Sequence, residues 1–188
     1  MKHQIALLII IVLSLSCHRA STGTWKNSVS KSAIEATPDD ELEQLIIDEI
    51  ERRVGDDYDH NHEIVLSMPK GFRVIYATWL LDAEVNNGGF NQFFWNSSGQ
   101  FAPEALEGLR QIGAKKHEEL LQRAIRIHNE EKTTIEKLKQ QGTLEAFSES
   151  YKHTKLNKLD DEYYKLPEGL GKLNVQYIRD HADLFQGK

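Results

Sequence analysis

From Leu42 onward the apolar residues recur at spacings of three and four, and almost nowhere at two. That period marks helices with one buried stripe, whereas half-buried strands alternate. The first predicted helix covers 38–54. Thr37-Pro38 opens it as cap and first-turn proline, and Asp39, Asp40 and Glu41 suit the positive end of its dipole. Leu42, Leu45, Ile46, Ile50 and Val54 form its stripe, and Gly55 ends it. A polar segment follows over 56–69. A second helix is expected over 71–85, burying Phe72, Ile75, Tyr76, Trp79, Leu80 and Ala83. Helices over 102–112 and 114–141 come next, stopped by Gly113 and Gly142, then shorter ones over 144–151, 159–166 and 173–185. The expected fold class is all-α, a single compact multi-helix domain.

The pattern ahead of this domain is of another kind. A short basic start precedes a largely apolar run, Ile5 to Leu15, which ends in Ser16-Cys17. A membrane-spanning helix needs about 20 apolar residues, so the run is too short to span and has the length of a signal-peptide core. A small residue directly before a cysteine resembles a bacterial lipoprotein signal, with Cys17 as the lipid attachment site; an ordinary signal peptide is the alternative. Cys17 is the sole cysteine in the sequence, so no intrachain disulfide and no thiol catalyst is expected in the mature domain. Residues 18–37, rich in Ser, Thr and Lys, read as a flexible tether. The expected organisation is a signal peptide over 1–17, a tether over 18–37 and a helical domain over 38–188. The expected location is the bacterial cell envelope, lipid-anchored on the periplasmic side or at the cell surface.

One stretch, EVNNGGFNQFFWNSSG from Glu84 to Gly99, concentrates glycines, side-chain amides and aromatics. Asn and Gly tolerate the left-handed backbone that closes one helix and restarts another in a new direction. Phe90, Phe93 and Phe94 then fall on one face of the restarted helix, where their burial beside Trp79 is expected to anchor it. The amides suit backbone groups left unpaired at a tight corner. The stretch therefore reads as architecture rather than as an active site, with Glu84, Asn86, Gly88, Gly89, Phe90, Gln92, Phe93, Phe94 and Asn96 as a structural motif.

Those residues, in that order, resemble the signature of the bacterial DNA-mimic-protein domain. So do Ala105-Leu106, Ile112-Gly113-Ala114, Leu159-Asp160-Asp161-Glu162-Tyr163-Tyr164, Tyr177-Ile178-Arg179 and Phe185. The resemblance covers about residues 70–186. It implies an all-helical fold, dimeric in many members, with no catalytic activity. It also implies, from a founding member, an acidic surface that imitates duplex DNA on the DNA-binding face of a transcription factor. It carries over no acidic contact residue.

Charge sharpens that expectation. The chain holds 23 Lys+Arg against 29 Asp+Glu, a net of −6. Asp39 to Glu63 alone holds eleven acids against Arg52 and Arg53, a net of −9. An acidic rather than basic footprint argues against direct nucleic-acid binding. Asp40, Glu41, Asp48 and Glu51 fall within one arc of the first helix, and Asp56, Asp57 and Asp59 extend the patch. Carboxylates held along a rigid helix can stand in for phosphates toward a basic protein surface. The expected function is a non-catalytic, DNA-mimic-like protein-binding module with those seven acids as contacts and no cofactor or metal. Two alternatives stay open. One is a metal-dependent envelope enzyme using Asp59, His60 and His62; the other is a structural lipoprotein whose acidic face is inert. His117, His128, His153 and His181 are expected at the surface or at helix ends.

Overall fold

The structure, a computed structural model, describes residues 29–187. The apolar run, Cys17 and residues 18–28 of the expected tether lie outside the described residues. Helices account for the architecture, and no strand occurs among the described residues. In chain order they are α1 (Lys31–Ala36), α2 (Asp39–Val54), α3 (Asn61–Leu66), α4 (Lys70–Trp95), α5 (Ala102–Gln111), α6 (Lys115–Lys139), α7 (Leu144–Ser150), α8 (Asn157–Tyr163) and α9 (Leu170–Asp180). Single 3-10 turns at Tyr58–His60, Ser97–Phe101 and Ala182–Phe185 link or end them. The all-α expectation holds.

Helix α4 is the spine. It touches α2, α3, α5, α6, α8 and α9, and its sequence says why. Val74 to Thr78 are five consecutive buried residues, so its first half is covered nearly all round rather than along one stripe. Gly108 lets α5 lie close against it, since a Cβ there would come within 2.8 Å of Thr78 Cγ2 and 3.2 Å of the Val74 carbonyl oxygen. Phe72 meets Phe185 edge-on at 5.3 Å, fastening the C-terminal turn over the start of α4. On α4, Ala83 is exposed and Trp79 and Leu80 are half-buried, a narrower burial than expected there.

Three stretches differ from the periodicity reading. Residues 29–37, assigned to the tether, are packed: Ser30 caps α1, and Val29 and Ile34 are each only 1% exposed. Arg179 on α9 holds the segment by donating to the carbonyls of Ile34 and Thr37, the latter at 2.5 Å, and to Asp39 at 2.6 Å. Two buried side chains in nine residues were too few to register as a period. The polar segment 56–69 contains α3 and buries Val65 and Met68. At the start of α2, Thr37 serves as the C-cap of α1, donating to the Ala33 carbonyl, and Pro38 takes the N-cap place. On α2 the buried set also takes in Ile47 and Glu49, whereas Leu45 is only half-buried.

Candidate functional site

The glycine corner forms where the sequence predicts it, as a kink at which one helical half of α4 ends and a second begins in a new direction. Gly88 (φ −154°, ψ 25°) and Gly89 (φ 73°, ψ −179°) leave the helical region, and the helix resumes through Trp95. Breaking the ladder frees backbone groups, which must find partners if buried. They do. Tyr164 Oη donates to the Val85 carbonyl at 2.8 Å, and Tyr151 Oη donates to the Gly88 carbonyl at 2.8 Å. The Phe90 N–H donates to Asp160 Oδ1, also at 2.8 Å. Burial pushes the Asp160 carboxyl above its usual range, and the Phe90 N–H opposes the shift.

Glu84 ties the two halves of the kink together. Its carboxylate accepts from Gln92 Nε2 at 2.8 Å, Asn96 Nδ2 at 3.0 Å and Ser98 Oγ at 2.7 Å. Asp82 accepts from Asn86 Nδ2 at 2.9 Å and from Tyr163 Oη at 2.6 Å. Phe90 and Phe93 are fully buried, and Phe94 stacks on His128 with ring centroids 4.2 Å apart. Trp79, expected beside these rings, stacks on Tyr76 instead. Glu84, Gln92 and Asn96 thus bridge the corner, whereas Asn86 bonds within the helix before it. Asp160, the residue that most constrains it, lies 70 positions away, and no local pattern marks it as the partner of Gly89.

The acidic face is exposed in full. Asp40, Glu41, Asp48 and Glu51 lie on the solvent side of α2, and Asp56, Asp57 and Asp59 in the turn beyond Gly55 are exposed as well. Asp40 and Glu51 are eleven residues apart, about 16 Å along the axis at 1.5 Å per residue. Asp48 accepts from Gln44 at 2.7 Å, and Asp57 pairs with His60 at 2.7 Å. Asp40, Glu41, Glu51, Asp56 and Asp59 have no ion-pair partner among the described residues. Three of the four other acids of the 39–63 stretch are spoken for. Glu49 is buried under Arg52 and Arg53, Glu43 accepts from Asn174 at 2.7 Å, and Asp39 pairs with Arg179. Burial raises the Glu43 carboxyl, with the Asn174 hydrogen bond opposing it.

The histidines proposed as metal ligands part company. His60 Nδ1 bonds Asp57, whereas His62 packs edge-on against Phe101 at 4.7 Å and faces Glu104 at 3.5 Å. Among the described residues no three His, Cys, Asp or Glu side chains gather as a metal site. Of the four histidines expected at the surface or at helix ends, two are packed, although His117 does lie in the first turn of α6. His117 is 5% exposed against the edge of Tyr163, and His128 is half-buried on Phe94.

Burial holds both His117 and His128 below the usual histidine range; nearby Lys132 and Lys139 add to the effect at His128. Groups with a depressed folded pKa contribute stability that is present above the unfolded value, about 6.5, and lost as pH falls through the folded value. Urea unfolding is therefore expected to show these histidines' contribution to stability falling as pH drops below about 6.5, with a shallower fall in His117→Gln. An unchanged slope in that variant would remove His117 from the account.

A family model described as DMP19-like protein matches residues 66–181. No curated protein and no solved structure matches the chain. The matched span takes in the kink, its Asp82, Glu84 and Asp160 anchors, and α5 to α9, which are the features that make the corner. Asp40 to Asp59 precede the matched span. With more than half its length matched, and with the glycine corner built from the residues that carry the resemblance, the chain belongs to the DMP19-like protein family, the DNA-mimic domain family.

Proposed function

We propose that the protein is a non-catalytic module that binds a basic protein surface through its acidic face, tethered to a bacterial membrane by lipid on Cys17. The observation that carries the reading is the row of exposed carboxylates on α2 and the turn after it, five of them without an ion-pair partner among the described residues. Unpaired carboxylates on a rigid helix keep their full field and incur no cost from breaking an internal salt bridge on binding. Family membership supports a partner that itself binds nucleic acid, because such proteins present basic surfaces. The contacts are Asp40, Glu41, Asp48, Glu51, Asp56, Asp57 and Asp59, with no cofactor and no direct nucleic-acid binding. Attachment places the module in the cell envelope, where its partner must also lie, and self-association as a homodimer is part of the reading.

Crosslinking pull-down from envelope membranes tests it, comparing wild type with a variant in which those seven acids are made neutral. The wild-type complex is expected to weaken as salt rises, since exposed charges are screened over about 10 Å at 0.1 M. Neutralisation is expected to abolish it while the domain stays folded, each exposed substitution changing stability by about 0.5 kcal/mol. A partner retained equally by the neutral variant refutes the acidic face as the contact, and no partner in either form leaves an inert face. Labelled fatty acid is expected to enter the protein and to be lost in Cys17→Ser. Recovery of the unprocessed chain in soluble cytosol would refute the tether.

A further inference from the structure

The inner side of α2 is fastened to the middle of the fold by a chain of side chains that its exposed acids do not enter. Glu43 on α2, half-buried, accepts from Asn174 Nδ2 on α9 at 2.7 Å. Asn174 Oδ1 accepts in turn from Thr78 Oγ1 on α4 at 2.9 Å. Asn174 and Thr78 are both 0% exposed, so the amide must find its donor and its acceptor inside the fold. The Thr78 hydroxyl has a single proton and a choice of acceptors. Besides Asn174, it lies 2.9 Å from the Val74 carbonyl oxygen and 3.1 Å from that of Ile75.

Such a chain has a sense of direction, and Glu43 sets it. An ionised carboxylate only accepts, so the Asn174 N–H must face Glu43 and the amide oxygen takes the Thr78 proton. A protonated carboxyl is a donor, and it donates more strongly than its oxygens accept. A half-turn about the last bond of Asn174 exchanges its oxygen and nitrogen. The amide oxygen then meets the Glu43 O–H, the NH2 donates to Thr78 Oγ1, and the hydroxyl proton passes to the Val74 carbonyl, the ordinary back-bond of a helical Thr. Neither order leaves the inner amide without a donor or an acceptor. We propose that Glu43, Asn174 and Thr78 form a reversible relay, in which a proton taken up by Glu43 turns the Asn174 amide and keeps α2 fastened to α9 and α4 in both charge states.

The surroundings favour uptake of that proton. Burial raises the Glu43 carboxyl; the Asn174 bond opposes the rise and the charge of Asp82 on α4 adds to it. On α9, Gly171 leaves room beside Glu43 Oε2, since an added Cβ would lie 3.4 Å away, and Arg179 is engaged by Asp39. On α3, also packed on α2, Glu63 is exposed and His62 faces Glu104.

Side-chain NMR of the full chain across pH tests the relay. At neutral pH the Asn174 NH2 protons are expected to show nuclear Overhauser contacts to Glu43. Below the midpoint of the Glu43 carboxyl carbon, which is expected above that of an exposed glutamate, those contacts should pass to the Thr78 side chain. In Thr78→Val the amide has no hydroxyl to turn to, and its contacts are expected to stay on Glu43 throughout; if that variant does not fold, the wild-type titration alone decides. An amide that keeps facing Glu43 while the carboxyl titrates, with the proton carried on Oε2 instead, overturns the proposal. So does an amide that turns at another midpoint, or turns equally in Thr78→Val. No partner enters the experiment, so failure here leaves the acidic-face reading standing.

Discussion

Gly89→Ala is expected to destabilise the protein by about 4 kcal/mol, more than any change on the acidic face. Two costs combine. The backbone at φ 73° and ψ −179° lies in a region that is nearly exclusive to glycine, costing about 1–3 kcal/mol for any other residue. A Cβ there would sit 2.2 Å from Asp160 Oδ2, so the carboxylate must withdraw and leave the Phe90 N–H buried without its acceptor. Losing such a partner costs about 1–3 kcal/mol more. Gly55→Ala is the control. Its φ of 56° and ψ of −132° are also nearly exclusive to glycine, but nothing lies within 4 Å of the added atom, so only a backbone cost of about 1–3 kcal/mol applies. Urea denaturation of the two variants separates the terms, and equal losses would mean that the Asp160 clamp contributes nothing.

Phe93→Ala is expected to cost about 3–5 kcal/mol, the usual loss for a fully buried Phe. Phe93 is 0% exposed and meets Phe94 at 5.1 Å, so truncation leaves a cavity beneath the resumed half of α4. The prediction also decides what the amide- and aromatic-rich stretch is for. If Phe93→Ala melts with wild type while partner binding disappears, the stretch is a binding surface and its architectural role is wrong. If stability falls and the residual folded protein still binds, the corner is scaffold and the contact lies elsewhere.

These outcomes follow from features that were unequally visible in the sequence. The helices were readable because a three-and-four spacing describes a residue's position relative to its own axis, which is local information. Gly88 and Gly89 were readable as a corner for the same reason: backbone permissiveness belongs to the residue itself. The exposed acids of α2 followed from the opposing apolar stripe of Leu42, Ile46 and Ile50.

Partnership across the chain was not readable. Asp160 reaches Gly89 and Phe90, Arg179 reaches Ile34 and Thr37, and Asn174 draws Glu43 inward, each across a separation that no window of sequence connects. Glu49 counted toward the acidic patch by composition, yet it is buried beneath two arginines. His117 reads as a surface or helix-end residue, and only the fold packs it against the edge of Tyr163. The sequence by itself determined where the longer helices run, though not α1 or α3, where the spine must bend and which side of α2 faces water. Only the tertiary structure decided which polar groups are removed from water and what satisfies them, because burial of a polar group depends on neighbours brought close by folding rather than on its own position in the chain.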